Sequence, residues 1–253
     1  MEIAEHIDEL REQGTALAEA AGRAGLDAPV PPCAPWRVKD LLRHTGHIHR
    51  WAASHIVSPT EHLRDGPAEE EMLRSGAPDG ELLDWFRDGH AALVRVLRAA
   101  DPALETATFI AAPSPLAFWS RRQAHETAIH RADADSAAGD VPGYPAEFAA
   151  DGIDELIMGF SRRRKYRPET AGWTGTLGVL ATDTGDGWQV RMEDGRVHSE
   201  RESVPADCMV SGPASGLYLF LWNRAEAAQA GVAVSGDPAA LDLWKSSVRV
   251  RWG

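Results

Sequence analysis

Lysine is almost missing from this sequence. Only Lys39, Lys165 and Lys245 occur among 253 residues, while arginine and alanine abound, a bias associated with high-GC coding. Cysteine is as scarce. Cys33 and Cys208 stand far apart, which excludes a disulfide framework and makes a reducing cytoplasm the expected location. No apolar run approaches membrane-spanning length, and Met1 leads into a polar, charged segment rather than a signal-peptide core. Positive charge is in deficit. The net charge of −12 disfavours nucleic acid or an anionic membrane as partner. There is no P-loop, no dinucleotide fingerprint, and no nucleophile motif behind a metal-independent Ser/His hydrolase. Internal repeats and low-complexity segments are absent as well. What is present is a globular composition, 43% hydrophobic and 25% charged, in a chain long enough for one large domain or two ordinary ones.

The most informative stretch is Trp119–Asp135, WSRRQAHETAIHRADAD. No proline or glycine interrupts it, and Ala, Arg, Gln and Glu favour a helix. On a helix, Glu126 and His130 share one face, so carboxylate and imidazole can reach one divalent metal ion. His125 and Glu126 open like a zincin motif, but that motif needs its second histidine four residues after the first. Here the spacing is five, and His125 and His130 point roughly 140° apart. The zincin reading fails on geometry and the Glu126/His130 pair survives. A surface Glu–His pair supporting the helix is the plainer alternative, so the question is whether a third ligand exists.

The rest of the first half reads as three more amphipathic helices. Residues 2–24 carry Ile3, Ile7, Leu10, Leu17 and Ala21 at helical steps. A loop with Pro29, Pro31, Pro32 and Pro35 follows, holding Cys33, either a reactive thiol or an inert loop cysteine. The second helix, about Trp36–His55, has the stripe Val38, Leu41, Thr45, Ile48 and Ala52. His44 points inward with that stripe, as a third ligand or as a hydrogen-bonded core histidine. His47 and His49 lie on its flanks. His55 shares the face of His44 but lies roughly 16 Å along the axis, too far to bind the same ion. Residues 57–80 form a long acidic connection with one turn of helix at Ala68–Arg74. The third helix, Glu81–Ala99, buries Leu82, Phe86, Leu93 and Leu97, with His90 as a reserve ligand or a structural residue. Four such helices make a bundle, whose core is where such folds build metal sites.

Gly139–Pro145 marks a boundary, and Ala146–Arg164 reads as a linking helix ending in the basic run Arg162–Lys165, an anion site or a solvated cationic helix end. Near Gly172 the period switches from 3.6 to 2. Strands are expected at 174–182, 188–193, 197–204, 206–211 and 232–234, with hairpin turns at Gly185–Gly187 and Glu193–Arg196. Helices are expected at 212–224 and from Asp237, as N-cap, through Trp244. The fold class is α+β: a helical bundle over 1–140, a linking helix over 141–170 and a smaller α+β domain over 171–253.

The segments WRVKDLLRH, FWSRRQAHETAIHRADA, VSGPASGLYLFLWNR and VSGDPAALDLWKSSVRVRW resemble the actinobacterial mycothiol-dependent maleylpyruvate isomerase family over nearly the whole chain. The most specific pieces are Trp36-x(7)-His44 and Glu126-x(3)-His130. The resemblance implies a DinB-like four-helix bundle followed by a sterol-carrier-protein-like domain. It implies a divalent metal, usually zinc, held by His44, Glu126 and His130, and mycothiol as thiol cofactor. An arginine of the C-terminal domain also serves the isomerase, for which Arg224 is the match here. Three protein ligands leave a fourth tetrahedral position open, and a thiol entering it is deprotonated by the ion. The chain then has a nucleophile without its own cysteine. Such a thiol can isomerise a small electrophilic alkene by addition, rotation and departure, or be transferred to it. Arg121, Arg122 and Arg224 could clamp a substrate carboxylate, solvation being the plainer role. Asp133, three after His130, is a supporting partner of a ligand or a surface ion-pair residue. The expected partners are the thiol cofactor and a small-molecule electrophile, in a monomer or homodimer. The alternative is a non-catalytic metal-binding bundle serving as a small-ligand or protein-binding module.

Overall fold

The computed structural model describes residues 1–66, 68–163, 174–193, 196–202 and 204–248. Its described residues divide into two compact units, Met1–Pro142 and 143–248. The first contains α1 (Ile3–Ala24), α2 (Val38–Val57), the short α3 (Glu69–Arg74), α4 (Leu82–Ala99) and α5 (Pro115–Ala138). The stripes read from the sequence face inward: Leu10, Leu17, Leu41, Leu82, Phe86 and Leu93 are each completely buried. Helices α1, α2 and α4 thus gain their stability from an apolar face packed on their neighbours rather than from propensity alone.

Around the bundle the order is α1, α5, α2, α4, so α1 faces α2 only across the diagonal, as α4 faces α5. Contacts along the helices fix the directions. Arg23 meets Asp135 and Arg131 meets Gln13, so α1 and α5 run parallel. His55 stacks on Trp119 while His44 lies beside Glu126, so α2 runs antiparallel to α5. His90 contacts the Leu10 carbonyl and Arg98 reaches Asp8, which makes α4 antiparallel to α1. Gly14 makes room for that histidine, since a Cβ there would sit 2.3 Å from its ring.

The start of α5 is set locally. Ser114 accepts the Ala117 N–H at 3.2 Å and Pro115 occupies the first helical position. Gly139 ends the helix in the left-handed region at φ 86°. Unlike its neighbours, α5 is buried on nearly every side. The buried set includes Ser120, Arg122, Gln123, His125, Glu126, Thr127, His130 and Asp133. A helix enclosed all round is normally apolar. Enclosing this many polar groups requires partners for them, and those partners build the site.

In the second unit, α6 (Ala146–Asp154) continues through a π turn at Glu155–Phe160 and a 3₁₀ turn at Ser161–Arg163. It packs on α7 (Ala214–Leu221), within this unit rather than apart from it as a link. The strands β1 (Gly175–Ala181), β2 (Gly187–Glu193), β3 (Arg196–Glu200), β4 (Cys208–Gly212) and β5 (Ala233–Gly236) form one sheet, ordered β3-β2-β1-β4-β5. Only β1 and β4 pair in parallel. Alternation puts Leu177, Val179 and Ala181 of β1 and Trp188, Val190 and Met192 of β2 into the core. Asp154 accepts from Trp188 Nε1 at 3.1 Å and from Arg201 Nε at 2.6 Å, tying the end of α6 to the sheet. The short α8 (Ala227–Ala230) and α9 (Pro238–Ser247) complete this unit, with Asp237 capping α9 through Ala239 N at 3.0 Å. The change of period near Gly172, the end of the basic run beyond Arg163 and the turn at 194–195 lie outside the described residues. Among the described residues, no helix is long and apolar enough to cross a membrane.

Candidate metal centre

The inward face of α5 meets that of α2 at a group of three donors. His44, Glu126 and His130 each offer one ligand atom, and all three atoms lie within 4.8 Å of one another. Glu126 Oε1 is 3.2 Å from His130 Nε2 and 3.6 Å from His44 Nε2. Bond lengths near 2.0–2.1 Å set the edge of a zinc tetrahedron at about 3.3 Å. The observed separations bracket that edge, so the donor set fits such an ion by composition and by span. Exposure is 1% for His44, 4% for Glu126 and 7% for His130, so Glu126 and His130 are not a surface pair.

Each donor is held from behind. Arg122, fully buried, donates through an Nη to Glu126 Oε2 at 2.8 Å, leaving Oε1 to face the histidines. Its guanidinium is therefore engaged with the carboxylate one turn away, rather than offered to solvent. Asp133, also fully buried, accepts from His130 Nδ1 at 2.9 Å, which fixes the ring and turns Nε2 toward Glu126. The same Asp133 oxygen accepts from Cys33 Sγ at 3.3 Å. Cys33 ends a 3₁₀ turn, Pro31–Cys33, that packs on α5. Trp36 lies over His44 with ring centroids 4.9 Å apart.

The electrostatics follow from burial. Desolvation alone would raise the Glu126 pKa, but His130 at 3.2 Å, the nearby His44 and the charges of His130 and Arg122 hold the carboxyl well below its usual range. Burial disfavours a charged His130, yet Asp133 and Glu126 outweigh it and push its pKa up to about 9. Two carboxylates around one imidazole thus make a pocket built for positive charge.

The other histidines lie elsewhere. His49 is buried and contacts Thr127 Oγ1 at 2.9 Å. That hydroxyl donates to the Gln123 carbonyl at 2.7 Å, so His49 Nε2 is the donor to it. Burial holds the His49 pKa well below its normal value, so the ring is neutral. His90 serves the Leu10 carbonyl at 3.0 Å, and His55 accepts the Arg64 N–H at 3.0 Å while facing the Trp51 carbonyl. His47 meets Ser75 Oγ at 3.0 Å, and His125 turns toward α1, its centroid 6.1 Å from that of His6. Arg224 belongs to the second unit, where one Nη donates to the Trp222 carbonyl at 2.8 Å. Sequence reasoning missed the support given by Cys33 and Trp36. Arg122–Glu126 did carry a signal, the same four-residue spacing that singled out Glu126 and His130.

Comparisons with known proteins agree in kind. Residues 7–135 match the family model described as the mycothiol maleylpyruvate isomerase N-terminal domain, and residues 147–243 match that family's C-terminal domain. A crystal structure of a mycothiol-dependent maleylpyruvate isomerase aligns with a TM-score of 0.65 at 16% identity, covering 93% of each chain. A histidine-to-alanine mutant of that enzyme aligns with the same score and coverage at 14% identity. At such identity the likeness is one of fold. No match was found among curated proteins.

Proposed function

The chain belongs to the mycothiol maleylpyruvate isomerase family, and on that premise we propose that it is a mycothiol- and zinc-dependent enzyme that isomerises a small electrophilic alkene. The observation that carries the reading is the convergence of His44, Glu126 and His130 within 4.8 Å. His44, Glu126 and His130 would hold a zinc ion there, and such an ion would supply the Lewis acidity that lowers the pKa of a bound thiol. Everything else falls to the chain. Arg122 fixes the Glu126 carboxylate, and Asp133 holds the proton on His130 Nδ1 so that Nε2 presents its lone pair. Burial of all three donors excludes water and strengthens each contact. Arg224 of the second unit is proposed as an arginine for a substrate carboxylate.

The test is incubation of zinc-loaded protein with mycothiol and candidate cis-alkenes conjugated to carbonyls, followed by chromatography and mass spectrometry. Isomerised product that depends on both zinc and mycothiol supports the reading. A stable thioether adduct as the end product replaces isomerisation with S-transfer. Absence of any thiol-dependent turnover, with no zinc retained, leaves a non-catalytic binding module.

A further inference from the structure

Gln123 lies one turn before Glu126 on α5, about 4.5 Å along the axis, on the face that carries Glu126 and His130. Its side chain is completely buried, yet neither its Nε2 nor its Oε1 has a hydrogen-bond partner among the described residues. Two neighbours share this condition. Trp119, four residues earlier on the same face, has an unpartnered indole Nε1, and Ser120, three residues earlier, has an unpartnered Oγ. Across from this tier, the neutral His49 leaves Nδ1 unpartnered. Each such atom is destabilising when left without a partner. A buried group of this kind calls for an explanation, and of these residues Gln123 is the one a single turn of α5 away from Glu126. Gln123 supplies donors and an acceptor, Trp119 a donor, Ser120 either, and His49 an acceptor. None carries charge. Neutral, buried donors and acceptors suit an uncharged amide, whereas a carboxylate would be buried without a counter-ion.

We infer that Gln123 is a binding residue for an amide of the thiol cofactor, pairing its carboxamide with the amide next to the cysteinyl sulfur. The inference rests on the thiol-at-metal reading above. Mycothiol carries its sulfur on a cysteine that is N-acylated and amide-linked at its carboxyl, so an amide lies only the α- and β-carbons away from the sulfur. Sulfur at the ion therefore brings that amide within reach of the next helical turn. Gln123 thereby selects an acylated cysteinyl thiol over a bare one.

The experiment uses the full chain loaded with cobalt(II) and follows the thiolate-to-cobalt absorption band. N-acetyl-L-cysteinamide and 2-mercaptoethanol are the probes. The expected preference for the amide-bearing thiol is about tenfold or more in the wild type, one amide pair's worth. Gln123→Met keeps the length of the side chain and removes both polar atoms. It should collapse the preference to about twofold or less while leaving the 2-mercaptoethanol affinity unchanged, and its melting temperature should not fall. Gln123→Leu repeats the measurement should the first variant be unstable. Retention of the full preference in either variant overturns the proposal, as does an equal loss for both thiols. If neither thiol gives the band with wild-type protein that has bound cobalt, the thiol-at-metal reading itself fails and the proposal falls with it.

Discussion

Replacing Asp133 with asparagine tests how far the centre depends on a residue outside the donor set. Asp133 is completely buried, accepts from His130 Nδ1 at 2.9 Å and takes the Cys33 thiol on the same oxygen at 3.3 Å. The asparagine side chain preserves the shape and can still offer an amide oxygen, but not the negative charge. A hydrogen bond to a charged group contributes about 1.5–3 kcal/mol. At about 1.4 kcal/mol per factor of ten, Asp133→Asn should weaken metal binding roughly ten- to hundredfold. Competition between the protein and a chromophoric chelator, titrated with zinc, reads this directly. Circular dichroism should show unchanged helix content, because the apolar stripes of α1, α2 and α4 are untouched. A zinc affinity within twofold of wild type would refute the reasoning and leave Asp133 as packing only.

Three further outcomes are expected. Changing Cys33 and Cys208 together to serine should keep turnover within about threefold, because a serine hydroxyl in place of the Cys33 thiol can still donate to Asp133 and the proposed nucleophile is an external thiol; a loss of orders of magnitude without unfolding would make a protein thiol the catalyst. His125→Ala, His47→Ala and His55→Ala should each retain the metal in elemental analysis, since these rings hydrogen-bond or pack away from Glu126; loss with His125→Ala alone would contradict the described α5 face. His49 has a depressed pKa, so the unfolded chain takes up a proton below about pH 6.5 that the folded chain refuses, and acid costs stability. Unfolding free energies from urea titrations at pH 7 to pH 5 should therefore fall more steeply for wild type than for His49→Gln, by up to about 1.4 kcal/mol per pH unit; parallel slopes would contradict a neutral buried His49.

Much of the bundle could be read from the chain because its helices obey local rules. Leu41, Thr45 and Ile48 mark one face of α2, and His44 falls on it by spacing alone. Ser114, Pro115 and Gly139 are the end signals of α5. What spacing could not convey is that α5 is enclosed on nearly all sides, because its polar residues leave no clean stripe to orient it. For the same reason Arg122 could be read as facing solvent or substrate, and Asp133 as either a partner of a ligand or a surface ion-pair residue; both are buried against the donors. The Cys33–Asp133 contact joins residues 100 apart in sequence and has no periodic signature. The π turn at Glu155–Phe160 likewise replaces an ordinary helical turn with no glycine or proline to announce the change at its start. In the second unit, alternation located the strands, but the parallel pairing of β1 with β4 depends on a return across the sheet that local pattern does not encode.

The central claim is that His44, Glu126 and His130 bind one metal ion that the enzyme needs. Its most direct test is metal content by mass spectrometry after purification and exhaustive dialysis, on wild type, His44→Ala and His130→Ala side by side. The account predicts about one equivalent of zinc in the wild type, and tenfold or greater depletion in each variant with helix content retained. A wild type that holds no divalent metal even after zinc is supplied, or variants that keep a full equivalent, would contradict it.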